Sequence, residues 1–225
     1  MFSPFIATGI VGILIILLCE LVIRTFKIKG ENARKLLHIS VALYAATWAF
    51  YLSQSTIALI SLILVAVVVF AQKYTFLHSF KSVKRITYGE IWFPLGIGVS
   101  AILFVNPAIY AIAVLHMGMA DGLAAVVGVG MGNNAKKFRI YKQTKSIAGT
   151  LVFIATSFVM YLGYWLVFAS VPVFENSITN AVAISLSSAI FVAATELVSP
   201  KGSDNILVPI VAGLFAILPT IQLII

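Results

Sequence analysis

Apolar stretches the length of a membrane span follow one another along almost the whole chain. A spanning helix needs about 20 mostly apolar residues, and eight such stretches are separated here by short polar or charged connections. They are Pro4–Ile23, Leu36–Leu52, Thr56–Ala71, Ile86–Val105, Pro107–Met131, Ile147–Val173, Ile178–Val198 and Ile206–Ile225. We therefore predict an all-α, polytopic membrane protein with about eight transmembrane helices, or seven if one short stretch is re-entrant.

Composition excludes most soluble classes. Of the 225 residues, 61% are hydrophobic and 10% charged, whereas soluble domains have about 45–50% apolar and about 25% charged residues. The net charge of +8 would suit a nucleic-acid partner, but the basic residues cluster between apolar stretches, as in membrane loops. We expect no nucleic-acid binding. Cys19 is the single cysteine, so no intrachain disulfide can form.

The basic residues also predict the orientation of the chain. All fifteen Lys and Arg fall in the first, third, fifth and seventh connections, and the other connections and both ends have none. They are Arg24, Lys27, Lys29, Arg34 and Lys35; Lys73, Lys81, Lys84 and Arg85; Lys136, Lys137, Arg139, Lys142 and Lys145; and Lys201. The positive-inside rule then places these connections in the cytoplasm and both termini on the non-cytoplasmic side.

The chain is predicted to form one unit. No linker, low-complexity tract or internal repeat divides residues 1–225, which we interpret as a single integral membrane domain. A cleaved signal peptide is not expected, because no basic residue precedes the first apolar stretch and no small-residue cleavage site follows it.

Asp121 is the residue that most strongly indicates a function. It lies inside an apolar stretch, where an ionised carboxylate costs at least about 2.5–3.5 kcal/mol on insertion scales, so such residues usually face a cavity and carry function. Gly118 and Gly122 form a G-x-x-x-G spacing around it, which is typical of helix packing. Packing explains the two glycines but leaves the aspartate unexplained.

A glycine-rich and basic segment follows Asp121. Its glycines allow backbone N–H groups to approach an anion, its cations add positive charge, and Ser146 lies at the predicted start of a helix, where phosphate is favoured. The candidates for anion binding are Gly128, Gly130, Gly132, Asn133, Lys136, Lys137, Arg139, Lys142, Lys145, Ser146 and Gly149. A basic loop that only sets topology would explain the lysines alone. It does not explain their combination with the glycines and Asp121.

Three further segments are predicted to share this membrane face. Arg34, Lys35 and His38 open the second stretch, Glu90 opens the fourth, and Glu196 and Asp204 flank the seventh connection. Together they predict one site that handles anions and whose carboxylates can hold Mg²⁺. The other ionisable residues are interpreted as structural: Glu31 and Glu175 as solvated, Glu20 as the partner of Arg24, and His78 and His116 as packed.

These motifs resemble the polyprenol kinase family. The resemblance is carried by Arg34-Lys35-x-x-His38, by Tyr88-Gly89-Glu90, by Ala120-Asp121-Gly122 through Gly132 with Lys145-Ser146-x-x-Gly149, and by Glu196 through Asp204-Asn205. It covers about residues 34–213. The family includes dolichol, phytol and farnesol kinases and the CTP-dependent diacylglycerol kinase, and it is distantly similar to phosphatidate cytidylyltransferase. No second aspartate adjoins Asp121, which favours the kinase branch.

The resemblance implies phosphoryl transfer from a nucleoside triphosphate, typically CTP, to a long-chain isoprenoid alcohol, with Mg²⁺ required. Asp121 is then expected to be a metal ligand. Glu90, Glu196 and Asp204 are alternatives for a second metal ligand or for the base that accepts the alcohol proton. Lys136, Lys137, Arg139 and Lys145 would neutralise the triphosphate, with Lys145 at the reacting phosphate. Further contacts to the nucleotide would come from Gly130, Gly132, Asn133 and Ser146. Arg34, Lys35 and His38 would hold phosphate.

Three other functions would account for part of the sequence. A phosphatidate cytidylyltransferase-like enzyme would use the same nucleotide but release pyrophosphate. A small transporter would use Asp121 as an ion relay, but its pathway should place polar residues towards both faces, and here the charges cluster towards one. A structural scaffold leaves Asp121 unexplained. The identity of the alcohol and homo-oligomer formation are left open by the sequence.

Overall fold

A computed structural model of the chain describes residues 3–74, 88–141, 143–168 and 178–221. Within these ranges it consists of helices and one β-hairpin. The α-helices are α1 (Pro4–Thr25), α2 (Gly30–Ala45), α3 (Gln54–Tyr74), α4 (Gly89–Leu103), α5 (Pro107–Leu115), α6 (Asp121–Gly130), α7 (Ile147–Phe168), α8 (Ile178–Val198) and α9 (Asp204–Ile221). Short 3₁₀ turns span Trp48–Phe50 and Gly132–Asn134, and a π-helical turn, His116–Ala120, joins α5 to α6.

The described part of each predicted apolar stretch contains one helical unit. Five of these units are long and apolar enough to cross a membrane: Pro4–Thr25, Gln54–Lys73, Pro107–Gly130, Ile147–Val167 and Ile178–Val198. The helices Gly89–Leu103 and Asp204–Ile217 are apolar but shorter. A helical membrane protein is therefore confirmed, whereas the count of eight spans and the orientation of the termini stay predictions.

The predicted break between the second and third stretches is present. Helix α2 ends at Ala45, and α3 begins at Gln54. The hydroxyl of Ser53 accepts a hydrogen bond from the N–H of Thr56 at 3.2 Å and so caps the start of α3. The polar tripeptide at Ser53 thus marks a real helix boundary within an otherwise uncharged stretch.

The fifth connection is not the plain loop that an all-α fold predicts. Strands β1 (Lys137–Ile140) and β2 (Gln143–Ser146) pair antiparallel, with Lys137 opposite Ser146. Tyr141, at the turn, has a φ of 51°. Exposed and half-buried residues alternate along β1, which is the period of a strand. Sequence analysis missed this hairpin because each strand has only four residues and the basic side chains dominate the pattern.

The α5–α6 unit forms the centre of the bundle. It packs against α2, α7 and α9, and Tyr110, Val114 and Met117 are fully buried in it. A Cβ at Gly118 would lie 2.0 Å from the Cβ of Ala42, and one at Gly122 would lie 2.4 Å from Ile39. The two glycines therefore let α2 approach closely, as their G-x-x-x-G spacing predicts.

The outer helices present apolar side chains outwards. On α1 the following leucines and isoleucine are more than half exposed: Ile13, Leu14, Leu17, Leu18 and Leu21. A soluble protein rarely exposes so continuous an apolar surface, but the hydrocarbon of a bilayer solvates it. Lys142, a candidate for anion binding, lies outside the described residues. So do the topology-setting residues Lys81, Lys84 and Arg85, and also His78 and Glu175.

Candidate active site

A large cavity opens at one end of the bundle, where α2, α6, the β-hairpin, α7, α8 and α9 converge. Its volume is about 1170 Å³. The charged residues that line it are Glu31, Arg34, Lys35, Asp121, Lys137, Lys145, Glu196, Lys201 and Asp204. They come from the first, fifth and seventh connections and the adjoining helix ends, as expected if these connections share one membrane face. We call this space the charged cavity.

Three carboxylates meet in the charged cavity. Asp121, Glu196 and Asp204 come from α6, α8 and α9, and one oxygen of each lies within 4.8 Å of the others. Asp121 and Glu196 are each only 6% exposed. Close, buried like charges repel one another, and hard oxygen donors in such a cluster are the ligands that Mg²⁺ prefers. The donor set therefore fits a divalent metal ion, and we call it the carboxylate cluster.

The fold positions two of these carboxylates at helix ends and Asp121 within the continuous α5–α6 unit. Asp121 begins α6 directly after the π-helical turn, a local irregularity that is frequent at functional sites. Glu196 lies in the last turn of α8 and Asp204 is the first residue of α9. The end of α8 and the start of α9 thus bring Glu196 and Asp204 to Asp121, inside the bundle.

Gly202 shapes the connection that carries Asp204. Its φ of +89° is in a region that side chains rarely adopt. A Cβ at this position would also lie 2.6 Å from the backbone nitrogen of Gly89. The side chain of Asn205 donates a hydrogen bond to the carbonyl of Gly89 at 3.0 Å. The Gly89 and Asn205 segments thus hold the start of α9 against α4.

Two lysines pair with the carboxylate cluster. The Nζ of Lys35 donates to Asp121, and the Nζ of Lys145 donates to Glu196. Lys35 is almost completely buried, so its contact with Asp121 is shielded from solvent. Burial opposes the charged form of Lys145, but the Glu196 carboxylate outweighs burial and raises the pKa of Lys145. The two pairings offset part of the repulsion between the acids.

Glu31 is part of the cavity, and its interpretation as a solvated loop residue was wrong. Helix α2 begins at Gly30, earlier than the apolar stretch, so Glu31 lies in its first turn. Its carboxylate accepts two hydrogen bonds from the guanidinium of Arg34. Burial opposes ionisation, but the bonds and charge of Arg34 outweigh it and lower the pKa of Glu31. The pairing fixes Arg34 at the cavity wall.

The glycine-rich and basic segment is only partly at the cavity. Gly132, Lys137, Lys145 and Ser146 line it. The exposed residues Gly130, Lys136 and Arg139 lie outside its lining, and of Asn133 the structure describes only the backbone, in the 3₁₀ turn. Gly128 and Gly149 also belong to the lining, so six of the predicted contacts line the cavity that contains the carboxylate cluster, whereas Gly130, Lys136 and Arg139 do not.

Two glycines of this segment serve packing. A Cβ at Gly128 would lie 2.7 Å from the Oγ of Ser146, and a Cβ at Gly149 would lie 2.8 Å from the carbonyl oxygen of Ala124. The same Ser146 hydroxyl accepts a hydrogen bond from the N–H of Gly149 at 3.0 Å, capping α7. These contacts join α6 to α7 and place Lys145 beside Glu196.

Glu90 and His38 are not among the residues that line the charged cavity. Glu90 accepts a hydrogen bond from the Nε2 of Gln72 at 2.5 Å. The ring of His38 packs on Phe93, with 4.3 Å between ring centroids. Both residues line a second, smaller cavity. The structure therefore does not bring Glu90 to the metal-binding position, nor His38 to the phosphate-binding position, that sequence analysis gave them.

Sequence analysis missed Gln143 and the role of Asn205. The Nε2 of Gln143 donates to the carbonyl of Ser199 at 2.6 Å and fixes the hairpin to the end of α8. Asn205 stood in the quoted motif beside Asp204, which was the available signal. No spacing rule could have identified Gln143, because its partner is 56 residues away.

Comparison with known proteins gives one informative relative. A phytol kinase of Synechocystis sp. is 28% identical over 209 residues, which cover 90% of this chain and 85% of the relative. No protein-family model and no solved structure matches the chain. The similarity covers most of the chain, and it supports a polyprenol or phytol kinase-like family, as the sequence motifs predict.

Proposed function

We propose that the protein is a CTP-dependent kinase that transfers a phosphoryl group to a long-chain isoprenoid alcohol at the cytoplasmic membrane face. The carboxylate cluster with its two lysines, inside a charged cavity at one end of an apolar bundle, is the observation that carries the proposal. Phosphoryl transfer needs mainly positioning and neutralisation of negative charge. The similarity to a phytol kinase supports an alcohol as the acceptor.

Asp121, Glu196 and Asp204 would hold Mg²⁺. When bound, the ion supplies positive charge to the phosphate oxygens of the nucleotide. Asp121 and Glu196 each already have a lysine partner, whereas among the described residues no lysine bonds to Asp204. Asp204 therefore has the most accessible oxygen for a metal or for the alcohol proton, and Glu196 is the alternative proton acceptor.

Lys35 and Lys145 have two successive roles in this proposal. Without substrate each amine pairs with a carboxylate of the cluster. An ammonium has three donors, so each lysine can also direct N–H groups at phosphate oxygens in the same cavity. Arg34, held by Glu31, and Lys137 on the hairpin add positive charge around the nucleotide.

The position of the cavity suits two substrates of opposite polarity. A nucleoside triphosphate is water-soluble, whereas an isoprenoid alcohol stays in the bilayer. The basic connections that surround the cavity predict a cytoplasmic location, which is where nucleotide is available. The choice of CTP rests on the family resemblance alone.

The test is product analysis with purified protein. We would incubate it with Mg²⁺, γ-labelled CTP, ATP or UTP, and a panel of isoprenoid alcohols. The proposal expects labelled alcohol monophosphate and unlabelled nucleoside diphosphate, with CTP the best donor. Release of pyrophosphate with a nucleotide-linked lipid, or no labelled lipid with any donor and alcohol, would contradict it.

A further inference from the structure

The second cavity lies between α1, α2, α3 and α4 and has a volume of about 80 Å³. Apart from two polar side chains, His38 and Glu90, its lining is apolar. The apolar residues are Ile16, Leu37, Val41, Leu64, Val67, Val68, Ala71, Phe93 and Pro94. We call it the apolar pocket. Moving a triphosphate or a metal ion from water to this apolar lining would cost free energy. These charged ligands therefore suit the charged cavity and not the apolar pocket.

His38 lines this pocket, and one of its ring nitrogens is buried without a hydrogen-bond partner among the described residues. It is only 5% exposed, and its Nδ1 lies 3.0 Å from the carbonyl oxygen of Arg34. A carbonyl can only accept, so Nδ1 is the donor, and in a neutral imidazole Nε2 then carries a lone pair. Within the described part of the chain this Nε2 has no hydrogen-bond partner. A buried acceptor without a partner is costly, which indicates a ligand.

Glu90 does not fill this role. Its Oε2 already accepts from Gln72, whereas among the described residues that line the pocket His38 has the buried acceptor without a partner. A ligand that satisfies the pocket must therefore be apolar over most of its surface and must carry one hydroxyl or similar donor. A water molecule alone would donate a hydrogen bond to Nε2 but would leave the apolar side chains of the pocket in contact with water.

The order of the lining residues along α2 also suits a ligand with one polar end. His38 lies three residues beyond Lys35 on α2, or about 4.5 Å further along the helix axis. Lys35 lines the charged cavity. Val41, three residues further along α2 than His38, also lines the pocket. A molecule with its donor at His38 and its chain towards Val41 would have its polar end nearest the carboxylate cluster.

We propose that the apolar pocket binds the hydroxyl end of the acceptor alcohol, with the hydroxyl donating a hydrogen bond to Nε2 of His38 and the first isoprene unit against Leu37, Val41 and Phe93. This inference rests on the proposed function, since it names where the alcohol of that reaction binds. His38 then recognises the alcohol, whereas the charged cavity takes the nucleotide.

Two variants test the pocket directly. Val67→Trp places a large ring at the half-exposed edge of the pocket, and Leu62→Trp is the matched control because Leu62 lies on the same helix, is exposed and is not part of the pocket lining. The protein, in nanodiscs without nucleotide, is irradiated with a diazirine-bearing C20 prenyl alcohol. We expect labelled peptides from α2 and α3, about tenfold less labelling in Val67→Trp, and no change in Leu62→Trp. Equal labelling in all three proteins would overturn the proposal.

The role of the His38 nitrogen needs a hydroxyl-specific readout. We would compare competition against the probe by the alcohol and by its methyl ether, which has the same chain but no donor. His38→Leu should weaken alcohol competition about tenfold, the size of one lost hydrogen bond, and leave the ether unchanged. His38→Gln, which keeps an acceptor, should restore part of the difference and covers the case in which His38→Leu does not fold.

The remaining outcomes separate this inference from the proposed function. Equal weakening of alcohol and ether by His38→Leu would show a packing role and overturn the hydroxyl contact. Normal alcohol phosphorylation together with an unchanged alcohol KM in Val67→Trp would overturn the pocket alone. Alcohol binding in the pocket without phosphoryl transfer from any nucleotide would contradict the proposed function instead.

Discussion

The two cavities beside helix α2 differ in almost every physical property, although residues of a single helix line both. The charged cavity is about 1170 Å³ and contains four acids and five cations, whereas the apolar pocket is about 80 Å³ and has two polar side chains, His38 and Glu90. Arg34 and Lys35 face the first, and His38, one turn further, faces the second. In the proposed function, one helix would contact a water-soluble substrate in the charged cavity and a lipid-soluble substrate in the apolar pocket.

The difference also explains why the carboxylates are not equivalent. Asp121, Glu196 and Asp204 are gathered with lysines in the charged cavity. Glu90 starts a helix on the same predicted face but is separated from them and hydrogen-bonded to Gln72. A shared membrane face is therefore a weaker criterion for a site than a shared cavity.

Asp121→Asn should have the largest effect. Loss of a metal ligand and of charge is expected to lower kcat by roughly a thousandfold. The sequence alone predicts unchanged stability, because a neutral amide is easier to place in a membrane than a carboxylate. The buried pair with Lys35 reverses that prediction: an unpaired buried lysine should cost about 3–5 kcal/mol of unfolding free energy.

A double variant separates these two effects. Lys35→Met together with Asp121→Asn removes both charges and should restore most of the melting temperature that Asp121→Asn loses, while kcat stays low. Melting curves and turnover are measured on the same preparations, with Lys35→Met alone as control. Wild-type turnover in the double variant would show that the pair is only structural.

Glu196→Gln and Asp204→Asn should each lower kcat by about a hundredfold or more, because both remove charge from the carboxylate cluster. Glu90→Gln is the matched change in the apolar pocket, and we expect its kcat to stay within about threefold of wild type. The measurement is kcat at saturating nucleotide and alcohol. A Glu90→Gln variant as inactive as Asp204→Asn would remove the distinction between the two cavities.

The lysines around the hairpin should show graded, smaller effects. Lys145→Ala should lower kcat about tenfold to a hundredfold, because Lys145 lies beside Glu196 in the cavity. Lys137→Ala should raise the nucleotide KM several-fold, since it lines the cavity without a bond to the cluster. Lys136→Ala, which is exposed and outside the lining, serves as the control. Equal kinetics in all three variants would show that the basic segment sets topology only.

Local sequence patterns predicted those structural features that depend only on residues close to one another along the chain. Apolar length gave the helices, the Ser53 tripeptide marked the boundary before α3, and the intramembrane position of Asp121 indicated a cavity. The Glu20–Arg24 pair follows from its helical spacing and is present at 3.0 Å. Such features need no knowledge of which helices are in contact.

Contacts between distant segments could not be predicted in the same way. Lys35 and Asp121 are 86 residues apart, and Lys145 and Glu196 are 51 apart. Sequence analysis placed both lysines on phosphate because nothing in their spacing indicates a carboxylate partner. The same limitation assigned Glu90 to the site, since helix order along the chain does not determine which helix ends meet.

The central claim, that Asp121, Glu196 and Asp204 form a divalent-metal site for a nucleotide, is tested most directly by Mn²⁺ binding. Electron paramagnetic resonance can count the Mn²⁺ bound by the protein in the presence of CTP. Wild type and Glu90→Gln should bind the ion equally, whereas the folded double variant Lys35→Met with Asp121→Asn should bind it at least about tenfold more weakly. Equal Mn²⁺ affinity in all three proteins would contradict the account.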